Sequence, residues 1–265
     1  MLDLHTHSSA SDGVDSPREL VRQAKKRGLK GIALTDHDTC AGLQEGFAAG
    51  LLFGLAVLPG VELSAEWGDR DVHILGYWIS GSDRELSELM SKLRSQRATR
   101  MASMVSRLTS LGLPLTLSEV TAQSNGDGHS LGRPHVARAL VARGYVSNVA
   151  EAFDLYLERG RPAYVPRYKL SPEEAISAIV GSRGVAVWAH PGHLASQRLE
   201  SMIRAGLAGI EVYHPDHTHE REQELLGLAR EHRLVVTGGS DAHSAAALGE
   251  RTSNIEVWHE LWSRR

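Results

Sequence analysis

Several residue types are scarce in this chain, and each scarcity excludes a class of protein. The 265 residues include one cysteine, Cys40, so no intramolecular disulfide framework can form. Lys and Arg total 29 against 32 Asp and Glu, which gives a formal charge of −3, and no long basic run occurs. A protein that holds long duplex nucleic acid by neutralising phosphates is therefore disfavoured, whereas a short oligonucleotide or a mononucleotide remains open as a ligand.

Long apolar stretches are missing as well. No run is long enough to cross a bilayer, and no signal peptide is visible. We therefore expect a soluble, cytoplasmic protein with no membrane partner. Aromatic residues make up only 5% of the chain, whereas histidine occurs 14 times. The length suffices for one large α/β domain with a substantial core, so the positions of the histidines become the main guide to function.

The start of the chain follows a β-α-β pattern. LDLH is a short apolar strand, and Ser16 can cap a helix that has Pro17 at its first position, Glu19 three residues after the serine and Gly28 at its end. KGIALTDHD then predicts a buried strand. A helix near 41–50 and the strand patterns LAVLPGVELS, DVHILGYWI, GVAVWAHP, AGIEVYHP and LVVTGGSDAH follow. This alternation predicts an α/β fold with a mainly parallel sheet or barrel.

The middle of the chain departs from this alternation. Leucine and methionine recur at helical spacing from about 83 to 111, and RPHVARALVARG and VAEAFDLYLERG predict shorter helices. We expect an all-helical insertion over 81–165, between two parts of the β/α domain at 1–80 and 166–265. The leucine and methionine stripe is typical of packing rather than of a cofactor site.

Histidines and acids stand where the predicted strands end. In parallel α/β architectures these ends converge on one face, so we expect the side chains to lie together. Imidazole and carboxylate ligands without thiolates favour divalent metal ions, and the set is too large for one tetrahedral ion. Two or three ions fit better, with a carboxylate such as Glu62 able to bridge two of them. The side chains at these predicted strand ends are His5, His7, Asp36, His37, Asp38, Glu62, His73, His190, Asp241 and His243.

Other catalytic plans are weaker. GGSDAH lacks the G-x-S-x-G pattern, so Ser240 is not supported as a nucleophile. The chain has no G-x-x-x-x-G-K-[ST] phosphate loop and no convincing G-x-G-x-x-G after a strand. Cys40 could be a reactive thiol, but a small residue at a helix start is the favoured interpretation.

A series of short motifs resembles a known family. HTHSSASDG, TDHD, PGVELS, VHILGY, AHPG and GSDAH occur in this order and resemble the polymerase and histidinol phosphatase (PHP) superfamily of metal-dependent phosphoesterases. The resemblance covers about 1–80 and 165–255, and it implies a distorted (β/α)7 barrel. It also implies two or three divalent ions, with manganese expected and iron or zinc as alternatives. The implied ligand groups are His5, His7, Glu62 and Asp241 on one ion; Glu62, His73 and His190 on a second; and Asp12, His37 and His243 on a third.

The insertion resembles that of stand-alone PHP proteins that act on nucleotides. In that subgroup an arginine and a histidine of the insertion hold substrate phosphate, which implies these roles for Arg133 and His135 of LGRPHVA. His193 stands where the subgroup favours arginine or another basic residue, a departure that bears on the exact substrate. His193, His135 or a metal-bound water could protonate the leaving group. His214 is a candidate pocket residue, although a structural role or one in support of the ligands explains it equally well.

Four further residues near these motifs could support the metal site or the binding of substrate. Asp36 and Asp38 flank His37, and we expect them to orient metal ligands or to help assemble the site. Arg167 and Lys169 of PRYK could add positive charge at the boundary of the insertion, although an exposed solvated patch explains them equally well.

The resemblance implies a phosphoesterase in which a metal-bound hydroxide attacks the phosphate of a nucleotide or short oligonucleotide. Removal of the 3′-phosphate from a 3′,5′-bisphosphonucleotide and 5′-to-3′ trimming of short RNA are the leading options. A histidinol phosphatase is disfavoured by the RPH insertion, and an amidohydrolase by the expected third metal and the phosphate-holding pair. A non-enzymatic, metal-binding accessory module is disfavoured by the complete ligand set. The oligomeric state stays open.

Overall fold

The computed structural model describes residues 1–68, 70–123, 131–166, 170–192 and 195–265. The strands in this part of the chain are β1 (Leu2–Asp3), β2 (Gly31–Leu34), β3 (Ala56–Trp67), β4 (Arg70–Tyr77), β5 (Val185–Trp188), β6 (Leu207–Tyr213) and β7 (Val235–Gly238). The helices are α1 (Pro17–Lys26), α2 (Leu43–Phe53), α3 (Arg84–Ser110), α4 (Leu117–Thr121), α5 (Arg133–Ala142), α6 (Val149–Ala152), α7 (Pro172–Gly181), α8 (Ala195–Arg204), α9 (His219–His232) and α10 (Val257–Ser263). A π-helical turn, Phe153–Leu157, follows α6 directly.

The described strands form one sheet in the order of the chain, from β1 to β7. β1, β2 and the start of β3 are parallel, as are β5, β6 and β7. β4 runs antiparallel to both of its neighbours. The long β3 pairs with β2 through 56–59 and with β4 through 60–67. The predicted α/β barrel is therefore confirmed, with one strand reversed.

The two edges of the sheet meet after β7, so the barrel is nearly closed. His7 N donates to the carbonyl oxygen of Ala242 at 2.9 Å, and Thr6 and Ala242 form a parallel bridge. Gly239 lies against the first strand at this seam, where an added Cβ would stand 2.4 Å from His5 Cβ. A side chain at position 239 would therefore push the two edges apart and displace His5.

The helix start predicted near residue 16 is confirmed in detail. Ser16 Oγ accepts a hydrogen bond from Glu19 N at 3.2 Å, and Pro17 occupies the first turn. Leu20, Val21 and Ala24 of α1 are fully buried against β2 and α2. Capping and an apolar face thus place this helix on the outside of the barrel, with the loop after β1 leading into it.

The helices of the predicted insertion have a hydrophobic core of their own, which includes only the second half of α3. The first half of α3 packs against the barrel through Leu86, Met90 and Leu93. The second half packs against α5 through a separate cluster, which includes Met101, Met104, Leu108, Val136 and Leu140. The packing role predicted for the leucine and methionine stripe is confirmed. The division of the chain at 81 and 165 stays a prediction, because α3 contributes to both cores.

Cys40 lies in the loop before α2 with its Sγ 3.8 Å from Met90 Sδ. Burial, with the nearby Asp36 carboxylate, raises the pKa of this thiol to about 12. We expect iodoacetamide to modify Cys40 at pH 8 at least about tenfold more slowly than free cysteine, because the reactive thiolate is scarce. Mass spectrometry over a time course measures this rate. Alkylation as fast as that of free cysteine would show an accessible, reactive thiol instead.

No helix in the described ranges has both the length and the apolarity needed to cross a membrane.

Candidate active site

The candidate metal ligands from distant parts of the chain meet at one end of the barrel. Their ring nitrogens and carboxylate oxygens fall into overlapping groups, in each of which the atoms lie within 4.8 Å of one another. The groups are His5, His7 and Asp241; His5, Glu62 and His190; His37, Glu62 and His73; and His7, Asp12, His37 and His243. These sets overlap with the three groups that the resemblance implies. The nine side chains are therefore close enough to share several ions.

Glu62 lies at the centre of the cluster. Its Oε1 is 2.8 Å from His73 Nδ1 and 3.4 Å from His190 Nε2, and its Oε2 is 2.9 Å from His37 Nδ1 and 3.2 Å from His7 Nε2. Burial opposes ionisation of this carboxyl, yet the surrounding imidazoles hold its pKa well below the usual range. An ionised carboxylate with both oxygens facing nitrogen ligands suits a bridging position between two ions.

One expectation about the cluster was wrong. Glu62 and His73 do not stand at the carboxyl ends of strands, because Glu62 lies within β3 and His73 in the first half of β4. β4 is antiparallel to β3, with His73 opposite Ser64. The reversed strand therefore presents its early residues, rather than its late ones, at the end of the barrel where the other ligands collect.

The residues present fit a bound metal, because polar atoms of the cluster are buried without hydrogen-bond partners. His5 Nε2, both ring nitrogens of His7, Asp12 Oδ1 and Glu62 Oε2 make no hydrogen bond of normal geometry, although ring nitrogens and carboxylate oxygens face one another at 2.9–3.9 Å. Several unsatisfied polar atoms at one place cost too much to persist without a compensating ligand. Imidazole nitrogen and carboxylate oxygen are the donors that Zn²⁺, Fe²⁺ and Mn²⁺ accept.

The backbone is strained where it carries three residues of this region. Asp38, His190 and Asp241 have φ angles of 53°, 27° and 49°, in the left-handed region that residues with a Cβ rarely adopt. Each such residue costs on the order of 1–3 kcal/mol and persists where the surroundings enforce it. The strained turns after β5 and β7 direct the chain so that His190 and Asp241 face the cluster.

Arg133 and His135 lie at the start of α5, and Arg133 lines the cleft above the cluster. Arg133 Nη2 is 3.1 Å from Asp71 Oδ2, and its guanidinium lies 5.6 Å from the centre of the Phe153 ring. These contacts hold the guanidinium in the cleft wall rather than in solvent.

His135 is fully buried, and its geometry favours one of its two expected roles. Gly132 N donates to His135 Nδ1 at 3.0 Å, so the ring proton is on Nε2, which has no hydrogen-bond partner. Burial and the nearby Arg138 lower the pKa of His135 to about 4. A neutral imidazole with this tautomer can donate a hydrogen bond to phosphate, but it carries no extra proton to give to a leaving group at neutral pH.

His214 is buried beside the cluster, with its Nε2 3.6 Å from Asp241 Oδ2 and its ring 5.0 Å from that of His190. It also lines the cleft, as predicted for a pocket residue. His193, Arg167 and Lys169 lie outside the described residues.

Asp36 and Asp38 contact loops rather than ligand rings in the hydrogen bonds observed. Asp36 accepts from Ser8 N at 2.7 Å and from Ser11 Oγ at 2.6 Å, and so shapes the loop after β1. Asp38 accepts from Ser64 N at 2.9 Å and pairs with Arg97 of α3. Both carboxylates thus join the segments that carry the ligands, which corresponds to the second of their two expected roles, assembly of the site.

Comparison with known families agrees with this arrangement. The PHP domain family matches residues 3–160, and a PHP-associated family matches residues 222–257. The chain belongs to the PHP family. PHP proteins are metal-dependent phosphoesterases, so this chain is an enzyme of that class whose histidine and carboxylate clusters suit metal binding.

Individual PHP proteins resemble this chain over almost its whole length. A 3′,5′-nucleoside bisphosphate phosphatase of Chromobacterium violaceum is 34% identical, over 99% of this chain and 97% of its own. The 5′-3′ exoribonuclease Rnm of Escherichia coli is 34% identical over 98% of this chain and 89% of its own length. A phosphoribosyl 1,2-cyclic phosphate 1,2-diphosphodiesterase of Eggerthella lenta is 34% identical over 91% of this chain and 93% of its own length. The crystal structure of a candidate metal-dependent phosphoesterase from Bifidobacterium adolescentis superposes with a TM-score of 0.93 at 38% identity. The superposition covers 99% of this chain and 96% of the other.

Sequence reasoning missed two residues that contact this PHP site. Glu211 of β6 is fully buried, with both carboxylate oxygens 3.2 Å from His5 Nδ1, and it accepts from His190 N at 2.8 Å. Arg97 of α3 pairs with Asp38 and donates to Ser64 Oγ at 2.9 Å. A charged residue inside the apolar strand AGIEVY was the available signal for Glu211, whereas Arg97 lies in a helix already rich in arginine.

Glu211→Gln is expected to weaken metal binding by about 10- to 100-fold, the usual cost of losing a carboxylate behind a histidine ligand. Glu211 holds the His5 ring so that Nε2 faces Glu62 and Asp241, at 3.5 and 3.4 Å. Calorimetric titration of the metal-free protein with Mn²⁺ measures the effect. Unchanged affinity in a folded variant would show that Glu211 only fills space beneath the site.

Proposed function

We propose that this chain hydrolyses phosphate esters of nucleotides or short oligonucleotides, with two or three divalent ions held by its nine clustered side chains. The observation that best supports this proposal is that the cluster lines a cleft whose wall also includes Arg97, Arg100 and Arg133. Three acids among the ligands would repel a phosphate by themselves, whereas bound cations and adjacent guanidinium groups attract it. The relatives named for nucleotide and RNA hydrolysis support the same substrate class.

The ligand assignment is part of the proposal. His5, His7 and Asp241 share one ion with Glu62; His73 and His190 share a second with Glu62; and Asp12, His37 and His243 hold the third. Divalent ions in such a site supply a nucleophile from water at neutral pH and positive charge for the phosphoryl oxygens. Manganese is the ion we expect, with iron and zinc as alternatives. A cytoplasmic location stays a prediction.

The residues of the insertion position the substrate in this proposal. Arg133 presents a fork of N–H donors that matches two phosphoryl oxygens, and Asp71 fixes its direction before substrate arrives. His135 donates from Nε2 as a neutral imidazole. His193 or a metal-bound water is favoured over His135 for protonating the leaving group, because burial lowers the pKa of His135 to about 4.

Two reactions fit this geometry equally. Removal of a 3′-phosphate from a 3′,5′-bisphosphonucleotide and cleavage of short RNA from its 5′ end both place a phosphate ester over the cluster and the rest of the nucleotide in the cleft. Each is the named activity of a relative about equally similar to this chain.

A substrate panel tests the proposal and separates these reactions. Manganese-loaded protein is offered 3′,5′-bisphosphoadenosine, AMP, histidinol phosphate, a short 5′-phosphorylated RNA and an acylated amine, and released phosphate, nucleotide or amine is measured. We expect turnover of 3′,5′-bisphosphoadenosine or the RNA, and little of histidinol phosphate. Turnover of the acylated amine alone would indicate an amidohydrolase and overturn the proposal. Turnover of none of them with all ions bound would also overturn it and would favour a non-enzymatic module.

A further inference from the structure

The cleft above the cluster is lined almost entirely by charged and imidazole side chains. Among its described lining residues the exceptions are Gly132, Pro134 and Phe153. Phosphate binding and ester hydrolysis need none of these apolar surfaces. A phenyl ring in so polar a wall therefore requires a separate explanation, and its geometry provides one.

Phe153 is placed by an unusual piece of backbone. It opens the π-helical turn after α6, and its carbonyl oxygen accepts from Glu158 N, five residues on, at 2.9 Å. Single π-helical turns occur often at functional sites. Phe153 packs in part against the core of the insertion, and it also lines the cleft together with the metal ligands.

The ring is also joined to the phosphate-binding side of the cleft. The guanidinium of Arg133 lies 5.6 Å from the centre of the Phe153 ring, and Pro134 follows Arg133 in the same cleft wall. A ligand whose phosphate is held by Arg133 therefore brings its adjoining group next to Phe153 and Pro134. In a nucleotide the groups that adjoin the phosphate are a ribose and a flat, stackable base.

We propose that Phe153, with Pro134, forms the nucleobase subsite of the cleft, where the base of the substrate stacks beside the phosphate held by Arg133. The inference rests on the proposed function, and it adds a requirement for a base. Stacking is tolerant of base identity because every base has a π-face. The subsite accepts all four bases and distinguishes nucleotides from base-free sugar phosphates.

The test compares substrates with and without a base in two matched variants. Phe153→Ala removes the stacking surface, and Phe153→Tyr retains it. Tyr156→Ala is the control for folding, because Tyr156 belongs to the same π-helical turn and packs against the same insertion core without lining the cleft. Steady-state kinetics are measured with 3′,5′-bisphosphoadenosine and with ribose 3,5-bisphosphate, its base-free counterpart.

We expect Phe153→Ala to lower kcat/KM for the nucleotide by about 10- to 100-fold, mainly through KM, the range for loss of one base–aromatic stack. The same variant leaves kcat/KM for ribose 3,5-bisphosphate within about twofold, and Phe153→Tyr restores the preference for the nucleotide. Equal losses with both substrates would make Phe153 a structural residue, and no loss with either would overturn the subsite.

Ligand affinity separates a failure of this inference from a failure of the proposed function. Calorimetry measures the binding of AMP and ribose 5-phosphate to manganese-loaded wild-type and Phe153→Ala protein. Tighter binding of AMP that disappears in the variant supports the subsite even if no phosphate is released from any nucleotide. Equal affinity for the two ligands in the wild-type protein overturns it even if nucleotides are hydrolysed.

Discussion

Glu62→Gln is expected to lower the rate of phosphate release by about 10³-fold, because a metal ion contributes several kcal/mol to transition-state stabilisation and about 1.4 kcal/mol is tenfold in rate. Between them, the two oxygens of Glu62 lie within 3.5 Å of ring nitrogens of five histidines, none of which belongs to β3. Glutamine keeps the shape but offers one oxygen and an N–H₂ group, so it cannot bridge two cations. Bound metal, measured by mass spectrometry of the purified variant, should fall with the rate.

Glu66→Gln is the matched control for that experiment. Glu66 lies four residues later on β3, is also buried, and has its carboxylate 3.5 Å from Arg159 rather than near the cluster. The same change at this position should leave metal content and activity near those of the wild-type protein. A Glu62→Gln protein with full metal content and full activity would show that Glu62 is not the bridging residue.

Arg133→Ala is expected to lower phosphoesterase activity by about 10²-fold, the usual effect of losing one donor to a reacting oxyanion, with metal content unchanged. Arg133 contacts Asp71 and the Phe153 ring but is not part of the metal-ligand groups. Arg133→Lys should recover only part of the activity, because an ammonium group cannot form the two parallel hydrogen bonds of a guanidinium. Steady-state kinetics with 3′,5′-bisphosphoadenosine, together with metal analysis, measure both properties.

Arg143→Ala provides the comparison for a lost arginine in the same region. Arg143 ends α5, is half exposed and pairs with Glu119 away from the cleft. We expect its removal to change activity by less than about twofold, because an exposed ion pair contributes little. If Arg133→Ala protein loses metal, Arg133 supports the metal site instead of the substrate, and the proposed phosphate contact is wrong.

The position of the cluster was predictable because residues at strand ends of an α/β barrel converge whatever the details of packing. The reversal of β4 was also available in the sequence. Trp67 and Arg70 are paired at the ends of β3 and β4, and only two positions, with the sequence Gly-Asp, separate them in the chain. Gly-Asp at a two-residue connection favours a hairpin, and a parallel crossover needs a dozen residues or more.

Other features depend on contacts between distant segments. Nothing near Glu211 in the chain shows that His5 is its partner, because 206 positions separate the two residues. The tautomer of His135 follows from the hydrogen bond donated by Gly132, and its low pKa from burial and the nearby Arg138. RPHVA read alone predicts a helix start, and only the packed insertion reveals which ring nitrogen carries the proton.

The metal dependence of phosphate release tests the central claim most directly. Protein stripped with a chelator is given 3′,5′-bisphosphoadenosine while Mn²⁺ is added back in molar equivalents, and released phosphate is measured at each step. We predict no release without metal, a rise that saturates at two or three equivalents, and no comparable rise in Glu62→Gln protein. Release that persists in fully stripped protein would contradict a metal-dependent phosphoesterase built on these nine residues.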